Sequence, residues 1–335
     1  LEAGRAAKAV FAHVEARTHF DHALDLLRQE AARLEAPDAL ASNQALQVEV
    51  LYERGWALRL LGDMEAYARD LEEVVLLAES LQDQRTLAHL RWREAYTHRW
   101  FCRYPQAREA AEDGLELSQR EGDRLLEAQC WREVGMAARE TGDYEAAQTA
   151  LERSLTLFTE LGDVVYRIHA LGNLATLQWY LREYASSMEL ARQALDICDE
   201  AELPLQRRLP LGDLGAAAAA LGDADLAHRC LEESLSISRE ITDRTQEILC
   251  LLHLGWLCIR QKEPAAALQH LRAGLDLVER VGSCTEQGWL LCGLAEAHLL
   301  MGDRHRAKRH AQRALKMATR TGRPYDEGLA RRLCD

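Results

Sequence analysis

The sequence has no apolar run long enough to span a bilayer, and its first residues show neither the basic lead nor the apolar core of a signal peptide. Its nine cysteines are odd in number, scattered and without a CxxC pair. This pattern argues against a disulfide framework and favours a reducing, cytoplasmic location. Because the chain begins at Leu1 and not at a methionine, we expect it to be a fragment of a longer protein.

The sequence also lacks the motifs of catalytic, cofactor and metal sites. Its glycines are solitary, so there is no glycine-rich phosphate loop. Among the twelve histidines, His98 lies four residues before Cys102, but two ligands make a poor metal site. Paired carboxylates such as Glu72-Glu73 fall on predicted outer helix faces, where nothing would shift a pKa for acid–base chemistry. We therefore expect no enzymatic activity, no cofactor and no bound metal.

Positive charge is scarce in most of the chain. The formal net charge is −13, which argues against direct nucleic-acid binding by the body of the protein. The exception is the segment from Arg304 to Arg332, which carries ten Lys or Arg residues against two acids. This segment is either a solvated basic face or a contact for an acidic partner or nucleic acid, and both interpretations stay open.

The strongest positive feature is a repeat of forty residues. Small residues and aliphatic residues each recur at this spacing, in two rows: Gly55, Ala95, Gly135, Ala175, Gly215, Gly255 and Ala295, and Val75, Leu115, Leu155, Leu195, Leu235, Leu275 and Leu315. Between them lie Gly-Asp pairs such as Gly162-Asp163, in which the glycine ends one helix and the aspartate caps the next. Helices in such units bury their apolar faces only by stacking on their neighbours. The sequence therefore predicts an all-α fold, a helical solenoid of about seven to eight helix pairs.

The rows also set the expected boundaries. Residues 44–323 form seven forty-residue units of two antiparallel helices, each helix of roughly 16–18 residues. Residues 1–34 are an incomplete leading repeat, and 35–43, around Pro37, a loop. Residues 324–335 are a capping or truncated helix. Pro210 lies inside the predicted first helix of the fifth unit, so that helix should start late or kink.

These rows resemble the tetratricopeptide repeat, whose first helix carries a bulky residue, an aliphatic residue and a small residue. Two units supply the motif positions most fully, with Trp131, Val134, Gly135, Ala147, Leu151 and Ser154 in the third, and Leu171, Leu174, Ala175, Ser187, Ala191 and Ala194 in the fourth. The usual repeat has about 34 residues, so these helices are longer. Forty-residue versions resemble the superhelical region of bacterial signal-transducing ATPases and transcription activators of the maltose-regulator type. They also resemble Pins-type adaptors that grip extended peptides.

The resemblance implies a right-handed α-α superhelix in which the first helix of each pair lines a concave face. The side chains that it assigns to this face are Tyr52, Trp56, Arg59, Trp92, Tyr96, Arg99, Trp100, Arg132, Arg139 and Trp179. Aromatic groups beside arginines predict a groove for a protein, a peptide or a small ligand that carries acidic groups and apolar anchors. The alternative is that these side chains stack on one another and the arginines pair with Glu53, Glu133 and Glu140.

A second face, around Trp256 and Trp289, is mostly apolar. It is either a hydrophobic groove or a surface covered by a missing part of the parent protein. For the whole chain, we expect the sensor or interaction region of a larger signalling or transcription-regulating protein, with ATPase or DNA-binding modules outside this fragment. A free-standing peptide-binding adaptor is the first alternative, and an accessory region of an enzyme the second.

Overall fold

The computed structural model describes residues 1–9, 13–61, 63–81, 84–282 and 286–334, and within these ranges it contains helices and turns but no strand. The α-helices are α1 (Glu2–Ala9), α2 (His13–Ala31), α3 (Pro37–Leu61), α4 (Met64–Leu81), α5 (Gln84–Trp100), α6 (Tyr104–Glu121), α7 (Arg124–Thr141), α8 (Tyr144–Glu160), α9 (Val164–Tyr180), α10 (Tyr184–Glu200), α11 (Arg208–Leu221), α12 (Ala224–Glu240), α13 (Arg244–Arg260), α14 (Pro264–Val281), α15 (Gln287–Leu300), α16 (Arg304–Thr321) and α17 (Pro324–Cys334). A short 3-10 helix, Pro204–Arg207, precedes α11.

The helices stack as consecutive pairs with one shared inner wall. Each helix packs against the next along the chain, and from α5 onward each odd-numbered helix also packs against the next odd-numbered one. The even-numbered helices of the described ranges have no such close contacts with one another. The odd-numbered helices therefore form the inner wall and the even-numbered ones the outer layer. This arrangement confirms the all-α superhelix, with eight pairs from α1 to α16 and α17 at the end.

Close approach of the two helices within a pair explains the row of small residues. A Cβ atom added at Gly135 would lie 2.7 Å from Cγ of Leu151, and one added at Gly255 would lie 2.5 Å from Cγ of Leu271. These separations are far below van der Waals contact, so only a residue without a side chain admits the leucine of the second helix. The forty-residue spacing thus reflects one packing contact repeated along the solenoid.

The turns combine two local signals. Asp163 accepts a hydrogen bond from the backbone N–H of Tyr166 at 3.0 Å and caps the start of α9, and Gly162 before it has a φ of 69°. Glycine adopts this left-handed conformation without a steric cost, and the aspartate satisfies an amide that the helix leaves free. Where the sequence lacks the glycine, a non-glycine residue takes the same conformation, as Arg182 does with a φ of 65°.

The expected loop at residues 35–43 is wrong. Helix α3 begins at Pro37 and has 25 residues, so residues 37–43 are helical. Proline suits the first helical position, where no backbone N–H is needed. Asn43 is buried and donates to the carbonyl of Leu27 at 3.1 Å, which ties this extra part of α3 to α2. The surplus residues therefore lengthen a helix and do not form a loop.

The prediction that the helix containing Pro210 starts late is confirmed. The chain makes the 3-10 helix first, and α11 starts late, at Arg208, so that Pro210 falls in its first turn.

No helix of the described ranges is long and apolar enough to cross a membrane. Cys102 is disulfide-bonded, contrary to the expectation from the scattered cysteines, since spacing along the chain does not reveal which thiols meet in space.

Candidate binding site on the inner wall

The hollow of the superhelix contains a cavity between α5, α7, α9, α11 and α13, which we call the central cavity. It has two adjoining compartments of about 400 Å³ and about 220 Å³. The two compartments share eight lining residues: Arg99, Met136, Asn173, Thr176, Asp213, Thr245, Gln246 and Leu249. Because these residues come from five inner helices, a ligand in this cavity would contact five successive repeats.

Three arginines of the inner wall, Arg99, Arg132 and Arg139, are paired with carboxylates of the same wall. Glu133 Oε2 lies 2.8 Å from Nε of Arg99, and Glu133 Oε1 lies 3.3 Å from Arg132. Arg139 pairs with Glu140 at 2.7 Å. Burial alone would raise the pKa of Glu133, but the charges of Arg99 and Arg132 hold it below its usual range. The pairing of arginines with carboxylates, which was the alternative interpretation of the sequence, is therefore present on this wall. The guanidinium groups of these three arginines already have carboxylate partners within the protein.

The turn between α16 and α17 reaches into the hollow from the far end of the chain. Arg323 lies 2.7 Å from Oε2 of Glu140 and 2.8 Å from Oδ2 of Asp326, and it donates to the hydroxyl of Tyr180 at 3.1 Å. Although burial alone would raise the pKa of Glu140, Arg323 and Arg139 hold it at about 2. We call Arg323, Tyr325 and Asp326 the C-terminal clasp, since they join repeats that are remote along the solenoid.

An aromatic cluster completes the clasp. The ring centroids of Trp179 and Trp289 are 5.0 Å apart, and Tyr325 lies 5.1 Å from Tyr180 and 5.3 Å from Trp289. The indole N–H of Trp289 donates to Asp326. The face around Trp289 is thus covered, and its cover is the turn at the start of the chain's own α17. This observation supplies an occupant that neither sequence interpretation of the face considered.

Four of the remaining residues assigned to the concave face line one of two cavities. Trp92 and Tyr96 line the central cavity, whereas Tyr52 and Trp56 line a separate cavity of about 430 Å³ near α3. Trp100 is only 9% exposed and packs in the hydrophobic core, so its place in the predicted groove is a correction. It is the last residue of α5, where the helix ends and the next side chains turn toward α6. The side chain of Arg59 lies outside the described part of the structure.

Asp213 is the lining residue that sequence reasoning missed. The hydroxyl of Thr176 lies 3.3 Å from Oδ1 of Asp213. Burial in the hollow raises the pKa of Asp213 to about 7, against the opposing charge of Arg139. The sequence carried a signal: Asp213 is the one acidic residue in α11, which is otherwise rich in alanine, leucine and glycine. A lone acid on an apolar inner helix differs from the solvated acids of the outer layer.

The family model for tetratricopeptide repeats matches residues 86–160, 131–200 and 207–280, which together make up more than half of the chain. The chain belongs to the tetratricopeptide repeat family. The forty-residue unit is therefore a longer form of this repeat, as the small-residue row suggested, and the protein has a protein-interaction fold of this family.

Among curated proteins, the chain is similar to the regulatory protein AfsR of Streptomyces griseus, with 25% identity over 251 residues. This match covers 75% of the chain and 24% of AfsR, so the chain spans about a quarter of that relative's length. Among solved structures, a Rap protein in complex with competence and sporulation factor matches with a TM-score of 0.65 and 11% identity, over 99% of this chain and 94% of that one.

A signal-transduction ATPase with a tetratricopeptide repeat sensor, from Pyrococcus horikoshii, matches with a TM-score of 0.53 and 12% identity. The match covers 95% of this chain and 47% of that protein. At these identities the structural matches establish the fold, the same helical superhelix, and no more.

Proposed function

We propose that this tetratricopeptide repeat array is the sensor region of a larger regulatory protein and that its ligand is a peptide segment held in the central cavity. The observation that carries the proposal is the cavity itself, which is lined by residues from the five inner helices α5 to α13 and by Arg323 of the C-terminal clasp. Concave sites with apolar walls and a few converging polar groups are the usual places for ligands. Asn173, Thr176 and Gln246 supply amide and hydroxyl groups suited to a peptide backbone.

Through the C-terminal clasp, a bound ligand can change the spacing between remote repeats of the superhelix. Arg323, in the turn before α17, lines the cavity together with Trp289 of α15, while the other walls belong mainly to α5 through α13. A ligand that contacts both sides stabilises one spacing between these parts of the superhelix over others. ATPase or DNA-binding modules elsewhere in the parent protein would respond to that spacing. The similar proteins agree with this role, since AfsR is a regulatory protein and a Rap conjugation gene regulator forms a complex with the Phr* peptide.

Filling the cavity tests the proposal. The purified chain is incubated with a synthetic library of unmodified hexapeptides, and retained peptides are identified by mass spectrometry. Thr176→Phe places a ring in the cavity and is expected to abolish retention by steric exclusion, with a loss of at least about 1.4 kcal/mol, or tenfold, for each selected peptide. Thr156→Phe, the same change on the exposed face of α8, is expected to leave retention unchanged.

Two results would contradict the proposal. The first is retention of the same peptides by Thr176→Phe and the wild-type chain, which would place binding outside the cavity. The second is the absence of any retained peptide. Circular dichroism of both variants checks that the helical fold is intact.

A further inference from the structure

We propose that Asp213 binds a positively charged group of the ligand, either the ammonium or guanidinium of a side chain or the amino terminus of a peptide. The inference rests on the proposed function, because it specifies the chemistry of a ligand in the same cavity. It replaces the acidic ligand that the arginines had suggested.

The first reason is that Asp213 lacks the cationic partner that the neighbouring carboxylates have. Glu133, Glu140, Asp243 and Asp326 each have an arginine nitrogen within 3.3 Å. Among the described residues, no Lys, Arg or His side chain forms an ion pair with Asp213. Asp213 is half-buried, and a carboxylate largely removed from water is normally paired or fully hydrogen-bonded, so this one has capacity for a further partner.

The second reason is that Asp213 competes with a backbone carbonyl for the proton of its one hydrogen bond. The hydroxyl of Thr176 has a single proton, and the carbonyl oxygen of Gly172 accepts from it at 2.9 Å, closer than Asp213 at 3.3 Å. When the proton goes to Gly172, the carboxylate of Asp213 has no donor from Thr176. The carboxylate of Asp213 can therefore accept hydrogen bonds from a ligand without losing a strong internal one.

The third reason is the space around the carboxylate. An added Cβ at Gly172 would lie 3.0 Å from Oδ2 of Asp213, so the glycine keeps one side of the carboxylate uncrowded. The indole of Trp179 lines the same compartment, together with Asn173. An aromatic ring near an acid, with amide acceptors beside them, is a combination that recognises organic cations.

The energetics favour a cation over a neutral group. Burial raises the pKa of Asp213 to about 7, so without a ligand the side chain is about half protonated near neutral pH. A ligand cation stabilises the charged form and lowers this pKa again. By linkage, the ligand binds the ionised form more tightly, and its affinity rises as the pH rises through 7.

The titratable groups around the cavity differ in whether they change charge between pH 6 and pH 8, and Asp326 overlaps this range at its lower end. Because Asp213→Asn retains Asp326, that variant measures any contribution from Asp326 separately. Burial lowers the pKa of His169 to about 3 and that of His253 to about 4, so both are neutral from pH 6 to pH 8. Burial raises the pKa of Asp326 to about 6, and this residue is paired with Arg323. The remaining charged side chains that line the cavity are Arg99, Arg132, Arg139, Glu140, Arg208, Asp243 and Glu286.

The test uses the same hexapeptide library at pH 8, with the wild-type chain, Asp213→Asn and the matched control Asp225→Asn. Asp225 is an exposed carboxylate on the neighbouring α12. We expect the wild-type chain and Asp225→Asn to select peptides that owe their affinity to an arginine, a lysine or a free amino terminus. Asp213→Asn is expected to bind them at least about tenfold more weakly, which corresponds to 1.4 kcal/mol.

Two further measurements keep the test independent of how well the variant folds. With the wild-type chain, replacing the selected arginine by citrulline, the lysine by norleucine, or acetylating the amino terminus should cost about tenfold in affinity at the anchoring cation. Wild-type affinity should also fall about tenfold from pH 8 to pH 6, because one pH unit below a pKa of about 7 only a tenth of the carboxyl is ionised. Asp213→Asn should show no such fall.

The outcomes separate the two proposals. If the selected peptides bind equally well without their cations, or if Asp213→Asn binds them as the wild-type chain does, the cation site is overturned and the sensor proposal stands. If no peptide is retained at all, the sensor proposal fails and the cation site with it.

Discussion

Replacing Arg323 with alanine is expected to lower the free energy of unfolding by about 3–5 kcal/mol, the usual result of removing one partner of a buried ion pair. Arg323 is 5% exposed, and it is the residue that connects Glu140 with Asp326. Without it, Asp326 loses its cation, and Glu140 keeps only Arg139. The structure does not leave the two acids in water, because both are buried, Glu140 at 4% and Asp326 at 2% exposure.

Denaturant unfolding, followed by circular dichroism, measures the effect. Arg320→Ala is the matched control, since Arg320 is exposed and lies on the last turn of the preceding helix. We expect this control to change stability by no more than about 0.5 kcal/mol, as surface substitutions usually do. Equal stabilities of the two variants would mean that Arg323 does not make the contacts described.

Trp289→Ala is expected to have the second large effect, also about 3–5 kcal/mol, as for other buried tryptophans. Trp289 is 8% exposed, and its ring packs against Trp179, Tyr180 and Tyr325. The substitution leaves a cavity and removes the donor to Asp326. The start of α17 then loses the surface on which it rests, so its amides should exchange with solvent faster.

Hydrogen exchange monitored by mass spectrometry locates this effect. Loss of protection in α17 and α15, with α3 and α4 largely unchanged, is the expected pattern, because stability in a solenoid depends mainly on the repeats in contact with the change. Trp289→Phe keeps an aromatic ring and should cause a smaller loss. Unchanged protection of α17 in Trp289→Ala would show that the aromatic cluster does not hold the clasp.

The sequence predicted the features that depend on local chemistry. The helix ends at Gly162-Asp163 follow from the conformational freedom of glycine and the capping hydrogen bond of aspartate, both of which act within a few residues. The small residue at Gly135 reflects a contact with Leu151 inside one repeat. The error at residues 35–43 has the same origin, since a proline can start a helix as well as interrupt one.

The arrangement of the hollow was not predictable in this way. Arg99 lines the cavity on the inner wall, but its partner Glu133 lies on the next inner helix, and spacing alone left pairing and ligand binding as equal alternatives. The contact between Glu140 and Arg323 depends on how far the superhelix turns over nine helices. Small changes in the angle between repeats add up over that distance, so no local pattern encodes this contact.

The same reasoning applies to Asp213. Its identity was visible in α11, but its lack of a cationic partner emerges only when α7, α9 and α13 are in place around it. Whether a carboxylate can bind a cation of a ligand depends on whether a cationic side chain of the protein already pairs with it. The proposed ligand chemistry therefore changed from acidic to cationic once the arginines were seen to be paired.

A double-mutant cycle between Glu140 and Arg323 tests most directly whether the C-terminal turn closes the hollow. The free energy of unfolding is measured for the wild-type chain, Glu140→Gln, Arg323→Met and the double variant. Given the 2.7 Å separation of the two side chains, we expect a coupling free energy of at least about 2 kcal/mol, within the range for buried residues in contact. Additive effects, with a coupling below about 0.5 kcal/mol, would mean that residues 140 and 323 are not neighbours and that the clasp does not exist.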